Sequence, residues 1–140
     1  VFQNNVLNKT ESVSVIASSV DGNYNATKTI NISTVPPEMV FYKKSLTKGV
    51  LYNQALTNGF LMSQPEMTIV AAPYFLSVKG NESSLSYLWK VNGKVIDTPS
   101  DRTELTIRPI SRGGYATIGL TIENLKTLFQ TVTGQLKINL

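Results

Sequence analysis

The sequence predicts an all-β fold, an antiparallel β-sandwich, on three observations. Apolar and polar residues alternate at period two through most of the chain. Turn chemistry separates the alternating runs. No stretch of helical length keeps a 3.6-residue period with caps. With 140 residues, 41% of them hydrophobic and 16% charged, the chain holds one domain, or one domain of about 100 residues and part of another, with enough apolar material for a core.

The elements follow in order. Val13, Val15 and Ala17 alternate with polar neighbours, Asp21-Gly22 supplies a turn, and Tyr24, Ala26, Ile30 and Ile32 resume the alternation, broken only by Lys28. That pattern is a hairpin. Val35-Pro36-Pro37 stops it, because two successive prolines cannot donate ladder bonds and favour an extended linker. The expected division is therefore residues 1–34, a linker at 35–37, and a domain at 38–140. Within that domain strands are expected at 39–43, 50–52, 66–78, 84–91, 103–108, 116–123 and 129–140. Asn58-Gly59, Gly80-Asn81, Asn92-Gly93, Thr98-Pro99 and Gly113-Gly114 lie between them. Pro73 cannot sit in a central ladder, so a bulge or a switch between sheets is expected there.

The first hairpin also resembles the last. An offset of 105 places Val13 on Ile118, Ser19 on Asn124 and Tyr24 on Phe129; one extra residue in the second copy then places Ile30 on Leu136 and Ile32 on Ile138. An offset of one sandwich length is what a tandem array produces, and it makes residues 1–34 the last two strands of a preceding domain.

The most specific stretch is Leu85-Ser-Tyr87-Leu-Trp89-Lys-Val91-Asn92-Gly93. Tyr87, Trp89 and Val91 share a face and are expected in the core, with a tight turn following. Gly114-Tyr115-Ala-Thr-Ile118-Gly-Leu120-Thr-Ile122-Glu-Asn124 comes later, with Ile118, Leu120 and Ile122 as further core positions. In this order the two stretches resemble the Y-x-W-x-x-[ND]-G and G-x-Y-x-V-x-L-x-V-x-N patterns of PKD-like and immunoglobulin-like modules of bacterial and archaeal surface proteins, over residues 36–140. The resemblance implies an immunoglobulin-like (PKD-like) sandwich. It also implies a non-enzymatic role as spacer, adhesion module or protein and glycan contact, with no catalytic residues to carry over. Tyr115 is one residue out of phase with Ile118, so either Ala116 takes the aromatic's place or a bulge intervenes.

The chain has no Cys and no His. Cysteine nucleophiles, histidine general bases, Ser-His-Asp triads and Cys/His zinc sites are thereby excluded, and a non-enzyme without cofactor is expected. Net charge is +4, yet only Lys43, Lys44 and Lys48 group together, the pattern of solvated strand faces rather than of a nucleic-acid site. Asp97, Asp101 and Glu104 form the one loose acidic group, without a calcium-loop pattern. No apolar run is long enough to span a bilayer and no signal sequence is visible, so the expectation is a processed chain or fragment at the cell surface, without direct membrane insertion.

Asn8, Asn25, Asn31 and Asn81 begin Asn-x-Ser/Thr sequons and are candidate glycosylation acceptors. Expected partners are neighbouring immunoglobulin-like domains or other surface proteins, and glycans. Two alternatives stand beside the structural and adhesive reading. One is a carbohydrate-binding module, which needs exposed aromatics in a row; Tyr42, Tyr52, Phe60, Tyr74 and Tyr115 lie off the core parity. The other is a filament subunit assembling by strand addition through residues 1–34. A Lys-Asn isopeptide bond between Lys43 and Asn139 with Glu66 as proton shuttle is conceivable but not expected, since Lys43 reads as an edge residue and Glu66 as solvated.

Overall fold

A computed structural model describes residues 10–33, 35–76, 82–109, 113–126 and 130–140. The chain divides into two compact units, Val1–Pro36 and Pro37–Leu140. In the first, β1 (Thr10–Ser18) and β2 (Asn25–Ser33) pair antiparallel, from Thr10 opposite Ser33 to Ser18 opposite Asn25. The turn is built by its polar residues. Gly22 takes φ +72°, and the Asp21 carboxylate accepts hydrogen bonds from the Ser19 hydroxyl and from the backbone and side-chain nitrogens of Asn23. Those bonds hold the Asp21 carboxyl below its ordinary value. One face of the ribbon is a hydroxyl and amide ladder, with Ser12 donating to Asn31 at 2.7 Å and Ser14 paired with Thr29 at 2.8 Å. The other face carries Val13 opposite Ile30, Val15 opposite Lys28 and Ala17 opposite Ala26.

The second unit is all strand apart from one 3-10 turn, Glu82–Ser84, among the described residues. Its strands are β3 (Glu38–Ser45), β4 (Gly49–Ala55), β5 (Phe60–Leu61), β6 (Met67–Tyr74), β7 (Leu85–Val91), β8 (Lys94–Val95), β9 (Glu104–Ile107), β10 (Tyr115–Asn124) and β11 (Thr131–Asn139). They form a four-stranded sheet in the order β4-β3-β6-β9 and a five-stranded sheet in the order β5-β11-β10-β7-β8. Every pairing is antiparallel except β5 on β11.

The inner faces of the two sheets share one core. Phe41, Met67, Ile69, Ala71 and Leu105 come from the four-stranded sheet; Leu85, Trp89, Ile118, Leu120, Ile122, Val132, Leu136 and Ile138 come from the five-stranded one. Trp89, Ile69, Ile118, Leu120 and Ile122 have no exposed surface. Each such aliphatic side chain contributes about 1.5–3 kcal/mol relative to leaving it in water. The Trp89 indole N–H, which would be costly to bury unpaired, donates to the Arg102 carbonyl at 2.9 Å. Tyr87 and Val91 are half-buried and pack against the edge of this core. Gly134, on the inner face of β11, is packed directly beneath β3: a Cβ there would lie 2.3 Å from Met39 Cγ.

Several expectations are corrected. Pro73 causes neither a bulge nor a switch, for the β3–β6 register runs unbroken from Lys44 opposite Thr68 to Glu38 opposite Tyr74. Backbone amides alternate sides along a strand. Ala71 donates to Thr103 at the start of the β9 side, so two residues later the nitrogen of Pro73 points past the end of β9, where no ladder bond is lost. The irregularity lies instead between β3 and β4, where Leu51 to Gln54 stand opposite the single residue Lys43. On β10 no bulge intervenes: Ala116 is buried in phase with Ile118, and Tyr115 points out, 60% exposed. The strand expected at 66–78 ends at Tyr74, followed by Phe75 at φ +58°. Positions 77, 78 and 129 of the expected strands lie outside the described residues, as does Phe129 in the hairpin alignment. After β7, Asn92 and Gly93 both take positive φ, 50° and 79°, as a two-residue turn demands.

Candidate functional site

The outer face of the four-stranded sheet gathers the exposed aromatics. Even-numbered residues of β3 and β6 point away from the core: Val40, Tyr42 and Lys44 on one strand, Thr68, Ala72 and Tyr74 on the other. Tyr74 stands opposite Glu38, so its Cα is four residues of extended chain from Tyr42, about 13 Å along the strand direction. The two hydroxyls nevertheless meet at 3.0 Å. Each phenol therefore reaches along the sheet towards the other, over the small pair Val40 and Ala72 that lies between them in register.

Tyr52, from the out-of-register stretch of β4, packs edge-on against Tyr42 with ring centroids 5.1 Å apart and planes at 65°. At the other end the Phe75 ring lies 6.4 Å from that of Tyr74. Four rings thus form a continuous row, Tyr52, Tyr42, Tyr74, Phe75. Tyr42 is its buried support at 8% exposure, while Tyr52 and Phe75 are 62% and 63% exposed and Tyr74 38%. Contacts of this kind add about 0.5–1.5 kcal/mol each beyond area burial. The hydrogen bond shared with Tyr74, which favours the protonated Tyr42 hydroxyl, and then loss of water raise that hydroxyl above its ordinary value of 10.0.

Charge on this face is balanced. Lys44 donates to both Glu104 oxygens at 2.6 Å, and that bond raises its pKa. Thr68 and Thr106 pair at 2.9 Å, and Glu38 adds a carboxylate beside the Tyr74 end. Lys43, Lys44 and Lys48 line an open pocket of about 430 Å³, but Glu66 is in its wall and Lys43 is turned to the Gln64 amide at 2.9 Å.

The remaining sequence candidates are not brought together. Phe60 packs against the core, and Tyr115 lies under the Lys137 ammonium, 4.0 Å from its ring centre, on the other sheet. Asp101 accepts from Thr103, and no group of three carboxylates fit for a metal occurs among the described residues. Glu66 pairs with Arg108, Lys43 with Gln64, and Asn139 donates to the Gly59 carbonyl at 3.1 Å. The three groups that an isopeptide bond would need thus have separate partners. Asn25 and Asn31 are exposed on β2, Asn31 accepting from Ser12; Asn8 and Asn81 lie outside the described residues. Sequence parity marked Tyr42, Tyr52 and Tyr74 as outward. It missed Phe75, whose left-handed backbone turns it out of the strand's alternation. Compared with known proteins, the chain matches no family model and no curated protein.

Proposed function

We propose that the chain is a non-catalytic structural and adhesive module of a cell-surface or filament-associated protein, one of a tandem array of immunoglobulin-like, PKD-like sandwiches. The observation that carries this reading is the common register of its first and last hairpins. Val13 faces Ile30 where Ile118 faces Leu136, Glu11 faces Ile32 where Ala116 faces Ile138, and Ala17 faces Ala26 where Ile122 faces Val132. Period-two strands resemble each other trivially in pattern. Register is a separate property, since a slip of one residue would exchange the faces. The Ig-like reading also draws support from the parallel pairing of β5 at the edge of an otherwise antiparallel sheet, and from Trp89 between the layers. Partners on this reading are neighbouring sandwiches or other surface proteins, and glycans, rather than nucleic acid.

The experiment is a chain comprising residues 37–140 alone. It should unfold in one cooperative transition by both Trp89 fluorescence and far-ultraviolet circular dichroism. If it is unfolded while the full chain is folded, residues 1–34 complete the same sandwich and the array reading is wrong.

A second reading, carbohydrate binding, is favoured by the aromatic row. The third, filament assembly through residues 1–34, meets an obstacle if the hairpin is to replace β10–β11 of another copy. Lys28 would fall at the Gly134 position, where even a Cβ meets Met39. Addition at a sheet edge is the form of that reading which remains.

A further inference from the structure

We infer that the outer face of the β4-β3-β6-β9 sheet is a binding platform for a neutral polysaccharide, whose sugar rings stack on Tyr52, Tyr74 and Phe75. The inference rests on the adhesive reading above and gives it a ligand class.

Exposed large aromatics seldom lie side by side on a solvated sheet face without a partner. Here three exposed rings are joined through a buried fourth, so that they are held in place before any ligand arrives. Rigid aromatic side chains give contact area at low entropic cost, and their flat faces suit the C–H face of a pyranose.

The polar groups point the same way. A pair of hydroxyls needs only one of its two hydrogens for the bond between them. The Tyr42–Tyr74 pair therefore keeps one donor and several lone pairs for a hydroxylated ligand, and the Glu38 carboxylate beside Tyr74 adds an acceptor. Charge argues against a polyanion. Lys44 is neutralised by Glu104 and Glu38 adds negative charge beside Tyr74, while Lys43 and Lys48 lie towards the other end of β3, so the Tyr74 and Phe75 end of the row has no surplus of cations for phosphate or sulfate. A proline-rich peptide also favours aromatic surfaces, but it docks in grooves between rings. Tyr42 and Tyr74 instead meet tip to tip and close the space between them.

The test is affinity electrophoresis of the full chain through native gels, each containing one neutral polysaccharide: a mixed-linkage β-glucan, a β-1,3-glucan, xylan, galactomannan, hydroxyethyl cellulose or glycol chitin. At least one should retard the chain. Tyr52→Ala should weaken that binding by about tenfold, and Phe75→Ala should weaken it as well. Tyr115→Ala, an exposed ring on the other sheet, should leave it unchanged. Thermal melts of each variant within a few degrees of the parent show that the fold is intact.

No retardation by any of the six polysaccharides overturns the inference. So does retardation that survives Tyr52→Ala, or binding of a proline-rich peptide that Tyr52→Ala abolishes. None of these results bears on whether residues 37–140 fold alone, so the array reading stands or falls separately.

Discussion

Gly134→Ala adds one methyl group where β11 packs directly against Met39 and Phe41 of β3. Gly134 lies on the inner face of β11, opposite Leu120 on β10. The new Cβ would stand 2.3 Å from Met39 Cγ, 2.6 Å from Met39 Cβ and 2.9 Å from Phe41 Cε2. Carbon atoms pack at about 3.5–4.0 Å, so all three contacts are repulsive. Met39 Cγ can turn away. Met39 Cβ cannot, because it is fixed to the β3 backbone, which is held in register with β6 through Met39 opposite Pro73. The sheets must therefore separate locally by about 1 Å, loosening the contacts of Phe41 and Leu120 with it.

Overpacking of this kind costs about 1–3 kcal/mol, partly offset by about 0.4–1 kcal/mol because alanine has less freedom than glycine in the unfolded chain. With three contacts under 3.0 Å the overpacking cost lies in the upper part of its range, about 2–3 kcal/mol, so a net loss of about 1–2.5 kcal/mol is expected. For a unit of this size it lowers the melting temperature by roughly 5–15 °C. Thermal and urea unfolding, followed by Trp89 fluorescence, measures it. Met39→Ala in the same chain should recover only part of the loss, since the Cβ contact stays. Gly119→Ala is the internal control: its Cβ meets only the Gly134 carbonyl, at 3.6 Å, and should be neutral or slightly stabilising. Stability of Gly134→Ala within about 0.5 kcal/mol of the parent would refute the close-approach reasoning.

Other substitutions probe separate features. Trp89→Ala should destabilise by about 3–5 kcal/mol as a large-to-small core change, and iodide should quench Trp89 in the folded parent only weakly; ready quenching would place the indole outside the core. Pro73→Val should change stability by no more than about 1 kcal/mol in urea unfolding, because the nitrogen of Pro73 faces beyond the end of β9; a much larger effect would mean that the ladder needs proline there. Tyr42, raised in the folded state, binds its proton more tightly there than in the unfolded chain, so its contribution to stability is complete below pH 10 and is lost as pH rises through the folded value. Ultraviolet titration of tyrosinate should show Tyr42 ionising above its ordinary value in the parent. Tyr74→Phe should bring Tyr42 back towards that ordinary value, and an unchanged titration curve would deny that the Tyr74 hydroxyl causes the shift.

The sheets were legible because their faces are chemically different. Alternation in β7 and β10 marks Trp89, Ile118, Leu120 and Ile122 as inward, and the Asn92-Gly93 pair marks the turn after β7. Two-residue strands such as β5 and β8 carry no period and cannot be read this way. Phe60 was misjudged for that reason: a side chain on so short a strand has no neighbours from which to infer its face. The straight passage of Pro73 depends on which neighbour each amide of β6 faces, a property of topology rather than of local sequence. The aromatic row was half legible. Parity put Tyr42, Tyr52 and Tyr74 outside the core, but their adjacency depends on β3 lying between β4 and β6, and on three surplus residues that place Tyr52 beside Tyr42.

The two hairpins show how far likeness in register carries likeness in packing. In β10–β11 the inward positions run Ala116, Ile118, Leu120 and Ile122 against Val132, Gly134, Leu136 and Ile138; the same positions of β1–β2 hold Glu11, Val13, Val15 and Ala17 against Ala26, Lys28, Ile30 and Ile32. At every position but those of Glu11 and Lys28 the residue stays apolar: Ile32 matches Ile138, Ile30 is an isomer of Leu136, and the remaining four are smaller. Glu11 and Lys28 are charged, and Lys28 stands at the position of Gly134, where even a Cβ meets Met39 and Phe41. A sheet covering β1–β2 would therefore stand farther off at Lys28 than β3 stands from Gly134. It would also leave the ammonium a route to water along its aliphatic stem, or else present a carboxylate to it. On the array reading proposed above, the sheet that covers the hairpin would therefore differ in depth from β3.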